Sequence, residues 1–105
     1  MPDTLPIMFR AERSGEYKGE LTAVFPTLPG TNQFDFTVYA HTGQHGSGDT
    51  GWIARTRPAK PAEYACLLAE LRRIYEQGDD PVALRIVQRT PANAYALRCA
   101  AMRRG

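Results

Sequence analysis

Phe34-Asp35-Phe36-Thr37-Val38-Tyr39-Ala40-His41 alternates larger apolar side chains with polar or amphipathic ones along its length. Successive side chains of a strand point to opposite faces, so this stretch predicts a half-buried strand. Phe34, Phe36, Val38 and Ala40 are expected to face the core. Asp35, Thr37, Tyr39 and His41 are expected to face solvent.

Upstream, Leu21, Ala23 and Phe25 repeat the period of two within Glu20-Leu21-Thr22-Ala23-Val24-Phe25. Ile7-Met8-Phe9-Arg10 is a second strand candidate, and the turn-like Arg13-Ser14-Gly15-Glu16 between the two predicts a hairpin. Pro26-Thr27-Leu28-Pro29-Gly30-Thr31-Asn32 is dense in turn formers and is expected to break the sheet path.

Downstream lies the chemically suggestive segment, Tyr39-Ala40-His41-Thr42-Gly43-Gln44-His45-Gly46-Ser47-Gly48-Asp49, which holds both histidines of the chain. Histidine donates, accepts or ligates near neutral pH, so two of them four apart invite a metal or acid/base reading. Gly43, Gly46 and Gly48 disfavour a helix, and the segment is therefore read as a loop. Its backbone N–H groups offer a candidate anion nest. His41, His45 and Asp49 supply three ligands, enough for a catalytic zinc with an open position and one short of a structural site. Ser47 beside His45 lacks the strand-to-helix elbow of a hydrolase nucleophile, and the glycine spacing matches neither the dinucleotide fingerprint nor the phosphate loop. Gly51-Trp52-Ile53-Ala54-Arg55 is expected to return as a short edge strand. Its Trp52 is read first as a partly buried core ring and otherwise as a lid or a partner anchor.

The clearest helix follows Arg57-Pro58-Ala59-Lys60-Pro61. Proline suits the first helical turn, Glu63 complements the dipole, and Tyr64, Leu67, Leu68, Leu71, Ile74 and Tyr75 make one apolar stripe. Gly78 is expected to stop it. Val82, Leu84 and Ile86 mark another strand, expected to pair parallel with an earlier one through a crossover. Thr90 and Pro91 then start a last helix, whose weak apolar face comprises Ala94, Leu97 and Ala101 flanked by Tyr95 and Met102.

These elements predict one α+β domain over residues 1–105: an antiparallel sheet of three to four strands with one long helix packed on one face, a further strand and a C-terminal helix. Leu67, Leu71 and Phe36 are expected to meet between helix and sheet. The composition, 43% hydrophobic and 23% charged, is that of an ordinary globular chain. No apolar run is long enough to span a bilayer. Met1-Pro2-Asp3-Thr4-Leu5-Pro6 lacks the pattern of a signal peptide, so a cytoplasmic location is expected. Cys66 and Cys99 have no C-x-x-C spacing and are read as free thiols.

Net charge is +2, yet every acid precedes residue 81, and residues 81–105 carry five arginines. Arg85, Arg89, Arg98, Arg103 and Arg104 form a candidate phosphate-binding stripe. Against it stand the low net charge, the absence of any nucleic-acid-binding motif, and the commoner role of such arginines in solvating a helix face.

Ala23-Val24-Phe25-Pro26, the Tyr39–His45 segment, and Arg57-Pro58-Ala59-Lys60-Pro61-Ala62-Glu63-Tyr64 resemble a group of small uncharacterised bacterial proteins, some associated with phages and mobile elements. The resemblance spans roughly residues 7–90. It implies an intracellular accessory role and brings no activity, cofactor or catalytic residue. The sequence reading is thus a non-enzymatic accessory or interaction protein that needs no cofactor. Its contact surface is Tyr39, His41, Gln44, His45, Asp49 and Trp52, its protein partner is unknown, and homodimerisation is left open. The alternatives are a metal-binding or hydrolytic site at His41, His45 and Asp49, and weak nucleic-acid binding through the basic end.

Overall fold

Among the described residues three strands hydrogen-bond to β1 (Thr4–Glu12), which places it at the centre of the sheet. The computed structural model describes residues 4–16, 18–32, 34–40, 44–77, 81–87 and 91–104, with the backbone alone for Gln44, Pro91, Ala92 and Arg104. One edge of β1 pairs antiparallel with β2 (Leu21–Pro29) from Met8↔Val24 to Ala11↔Leu21. The other edge is shared. Its first half pairs parallel with β6 (Ala83–Ile86), and its second half pairs antiparallel with β5 (Thr56–Pro58). Beyond β2 follow β3 (Phe36–Ala40) and β4 (Gln44–Gly48), giving the order β4-β3-β2-β1-β5 with β6 beside β1. The parallel pairing of the last strand with an early one is as expected.

The architecture is α+β, with six strands among the described residues rather than three or four followed by one more. The difference comes from β4 and β5, neither of them expected, and from the expected edge strand at Gly51–Arg55, which is helical. The Gly-rich segment after Gln44 is a strand, not a loop, in register with β3 from Ala40↔Gln44 to Phe36↔Gly48. Pro26 and Pro29 do not end β2; they lie where its register with β3 shifts, between Phe25 and Pro29. Proline has no N–H for a ladder, and an irregularity of this kind is where a sheet tolerates it.

Both faces of the sheet are covered, so alternate residues on either side are buried. On one face Ile7, Phe9, Ala23, Phe25 and Tyr39 pack under α2 (Pro61–Tyr75) through Tyr64, Leu67 and Leu71. On the other, Met8, Val24 and Phe36 pack with Ile53 of α1 (Thr50–Arg55) and Ala94 of α3 (Pro91–Arg104). This corrects the assignment of β3. Phe36 and Val38 face a core, but not the one holding Leu67 and Leu71, and Tyr39 is only 4% exposed. Phe34 precedes the strand and is 46% exposed.

The segment expected as an edge strand, Gly51–Arg55, is helical because Asp49 caps it: the Asp49 carboxylate accepts the Trp52 N–H at 2.7 Å. Buried Arg10 closes its other end. The guanidinium, 3% exposed, donates to the Ile53 and Thr56 carbonyls and to Thr56 Oγ1 at 2.7–3.0 Å.

At the start of α2, Glu63 accepts the Lys60 N–H at 2.8 Å and two hydrogen bonds from Arg57, at 2.8 and 2.7 Å. The helix ends at Tyr75, and Glu76 accepts the Leu84 N–H at 2.9 Å, tying the helix to β6. The expected stop at Gly78 and cap at Thr90 lie outside the described residues. Of the α2 stripe, Ile74 is the member left largely exposed. Among the described residues no helix is long and apolar enough to cross a membrane.

Candidate functional site

β4 is the terminal strand of the sheet, and the residues expected to act together are distributed on its two sides. On the α2 side, His45 pairs with Tyr39 across the ladder. Its ring meets the Tyr39 ring edge-on at 4.8 Å, and its Nε2 is 2.9 Å from the Tyr75 hydroxyl. The Tyr39 hydroxyl donates to the Glu70 carboxylate. That hydrogen bond raises the Tyr39 pKa, with burial and the negative charge of Glu70 adding to it, so the hydroxyl stays a donor. Burial likewise raises Tyr75. The cluster anchors β4 to α2 and leaves His45 exposed.

On the other side is a cavity of about 490 Å³. Its wall is made by Thr31, Asn32 and Asp35 of the β2–β3 turn, Val38 of β3, Ser47 and Gly48 of β4, and Asp49 and Trp52. Gly30 and Gly48 permit this shape. A Cβ on Gly30 would lie 2.2 Å from Ser47 Oγ, and one on Gly48 would lie 2.9 Å from Trp52 Cε3. Trp52 is half-buried, with its indole N–H donating to Glu12 at 3.3 Å.

A short network orients the wall. Asn32 Oδ1 accepts the Phe34 and Asp35 N–H groups, and Asn32 Nδ2 donates to Asp35 Oδ2 at 3.2 Å. Ser47 Oγ accepts the Thr31 N–H at 2.9 Å and donates to Asp35 Oδ2 at 3.4 Å.

The expected surface is therefore divided. Tyr39 and His45 lie on the α2 side, Asp49 and Trp52 on the cavity side, Gln44 contributes its backbone to β4, and His41 lies outside the described residues. His45 Nε2 meets the Tyr75 hydroxyl, whereas the Asp49 carboxylate is taken up by the Trp52 N–H as a helix cap. Among the described residues no group of three or more His, Cys, Asp or Glu is placed to hold a metal.

The arginine stripe is broken too. Arg98 is 5% exposed and donates to the Thr27 carbonyl, Arg85 lies on β6 with Nε 3.3 Å from Thr4 Oγ1, and Arg103 is exposed on α3. Arg89 and the Arg104 side chain lie outside the described residues.

Sequence reasoning singled out Asp49 and Trp52 but missed Asn32 and Asp35. Asn32 stands among turn formers, and the period-two alternation puts Asp35 on the solvent face. Only the β3–β4 pairing brings their turn against Ser47. Comparison with protein-family models, with curated proteins and with solved structures gives no match.

Proposed function

We propose that this chain is a small intracellular, non-enzymatic interaction protein that binds a partner strand along β4. The observation that carries the reading is the position and composition of that strand. β4 ends the sheet, and none of Gln44, His45, Gly46, Ser47 and Gly48 is Asp, Glu, Lys, Arg or Pro. Exposed edges of natural sheets are usually blunted by charge, proline or a bulge, because their unpaired N–H and C=O groups template pairing with another chain. β4 has none of the side-chain safeguards, which suits strand addition, with main-chain hydrogen bonds giving affinity and neighbouring pockets giving specificity. Exposed His45 flanks the edge on one side, and the Asp49–Trp52 cavity flanks it on the other. Cys66 and Cys99 are free thiols, as a reducing compartment maintains them.

Gly46→Lys tests the reading. A Cβ at Gly46 meets Val38 Cγ2 at 3.6 Å, an ordinary contact, and the backbone there does not have a positive φ. The substitution should fold normally while placing a charge on the edge. Quantitative affinity capture should lose the partner with Gly46→Lys and keep it with a lysine at the exposed Ala65 of α2. Equal recovery with both variants contradicts the reading.

A further inference from the structure

The two edges of the sheet differ in sequence. On one side β5 carries Arg57 and Pro58, and β6 carries Arg85, so charge or proline marks both short strands there. On the other side β4 carries neither across its five residues, and no strand pairs with its outer side among the described residues. Its surroundings are apolar as well. Of the three large apolar side chains left exposed among the described residues, two stand beside β4. Phe34 precedes β3 at the end where Phe36 pairs with Gly48. Ile74 lies toward the other end: it adjoins Tyr75, whose hydroxyl meets His45, and stands one helical turn from Glu70, which accepts the Tyr39 hydroxyl.

We infer that the strand added to β4 is β4 of a second copy of this chain, paired antiparallel about a two-fold axis at Gly46. The inference rests on the strand-edge reading of β4 and names its partner. An isologous contact sets each residue of the edge against its own counterpart or near it, so any charge on the strand would meet its like. A foreign partner puts no such restriction on β4, because it could carry the opposite sign. Full overlap of the five residues opposes Gly46 to Gly46, His45 to Ser47 and Gln44 to Gly48. No formal charge is opposed to another. The antiparallel direction also brings the Phe34 end of one copy alongside the Ile74 end of the other, so both ends of the paired strands have an exposed apolar side chain from each copy nearby. A five-residue strand makes a small interface, and association is therefore expected to depend on concentration.

Sedimentation equilibrium of the full chain at concentrations up to about 1 mM should show a monomer–dimer equilibrium. Gly46→Lys and Gly46→Glu each have room, since a Cβ there meets Val38 Cγ2 at 3.6 Å. Each alone should weaken self-association about fivefold or more, with circular dichroism unchanged, because it sets like charges across the axis. An equimolar mixture of the two should regain the parent's association, since lysine then faces glutamate. A lysine at the exposed Ala65 of α2 should have no effect. The inference is overturned if the parent is monomeric throughout, if either variant alone dimerises like the parent, or if the mixture dimerises no better than its components. A monomeric parent whose Gly46→Lys variant still loses a captured protein overturns this inference alone and leaves the strand-edge reading standing. Self-association and capture that both ignore Gly46 overturn the two together.

Discussion

Gly48 and Trp52 occupy one another's space: a Cβ on Gly48 would stand 2.9 Å from Trp52 Cε3 and 3.2 Å from Cζ3. The last residue of β4 and the first turn of α1 thus pack with no room for a methyl group. Gly48→Ala should displace the indole and cost about 1–3 kcal/mol, the usual penalty for overpacking. Urea unfolding and a changed Trp52 emission measure both effects. Gly46→Ala, which has room at Val38, should change stability by about 0.5 kcal/mol or less.

Leu71 and Phe36 belong to separate clusters on opposite faces of the sheet and share no packing partner there. Leu71→Ala should cost about 2–5 kcal/mol and Phe36→Ala about 3–5 kcal/mol, through lost burial and the cavities left behind. Their double mutant should be additive within roughly 0.5 kcal/mol. A larger coupling in denaturant unfolding would place the two side chains in one core.

Much of this two-faced core was legible in the chain, and the part that was not has a physical cause. Period two in Leu21–Phe25 and Phe36–Ala40 reveals strands but not how many of their faces are covered. The apolar run Ile7-Met8-Phe9 was the available sign of a strand buried on both sides. The α2 stripe was readable because Tyr64, Leu67 and Leu71 recur at helical spacing over the whole element. Gly46 and Gly48 signalled a loop because local propensity knows nothing of the ladder to β3. Trp52 and Ile53 signal a strand by residue type, but Asp49 caps the Trp52 N–H and turns the segment helical. The cavity needed residues 31–35 to meet residues 47–52, a long-range fact that local patterning does not contain.

Arg10 donates from within the protein to three oxygens at the end of α1, and burial followed by the nearby Arg13 charge lowers its pKa. Arg10→Met should leave the Ile53 and Thr56 carbonyls without this donor and cost about 1–3 kcal/mol. Arg10→Lys should not restore stability, because one ammonium cannot reproduce the planar fork. Thermal unfolding of the two variants, with full recovery by lysine as the contrary outcome, tests this.

Glu63 gives the molecule a pH dependence of known sign. The Arg57 hydrogen bonds, then the Lys60 N–H, lower its carboxyl from an ordinary 4.5 to about 2. A group depressed in the folded state contributes stability above its unfolded pKa and loses it as pH falls through the folded value. The unfolding free energy should therefore fall between about pH 4.5 and about pH 2, and fall less in Glu63→Gln. Parallel pH profiles for the two proteins would remove Glu63 from the acid response.

The central claim, that β4 is the surface this protein uses, is tested most directly by a photo-crosslinking amino acid placed in living cells at Gly46, with the same group at Ala65 on the outer face of α2 for comparison. The account predicts a discrete crosslinked partner at position 46 and none at position 65, and loss of that product when His45→Lys is added to the strand edge. Crosslinking at position 65 alone, or the same products from both positions, would contradict it.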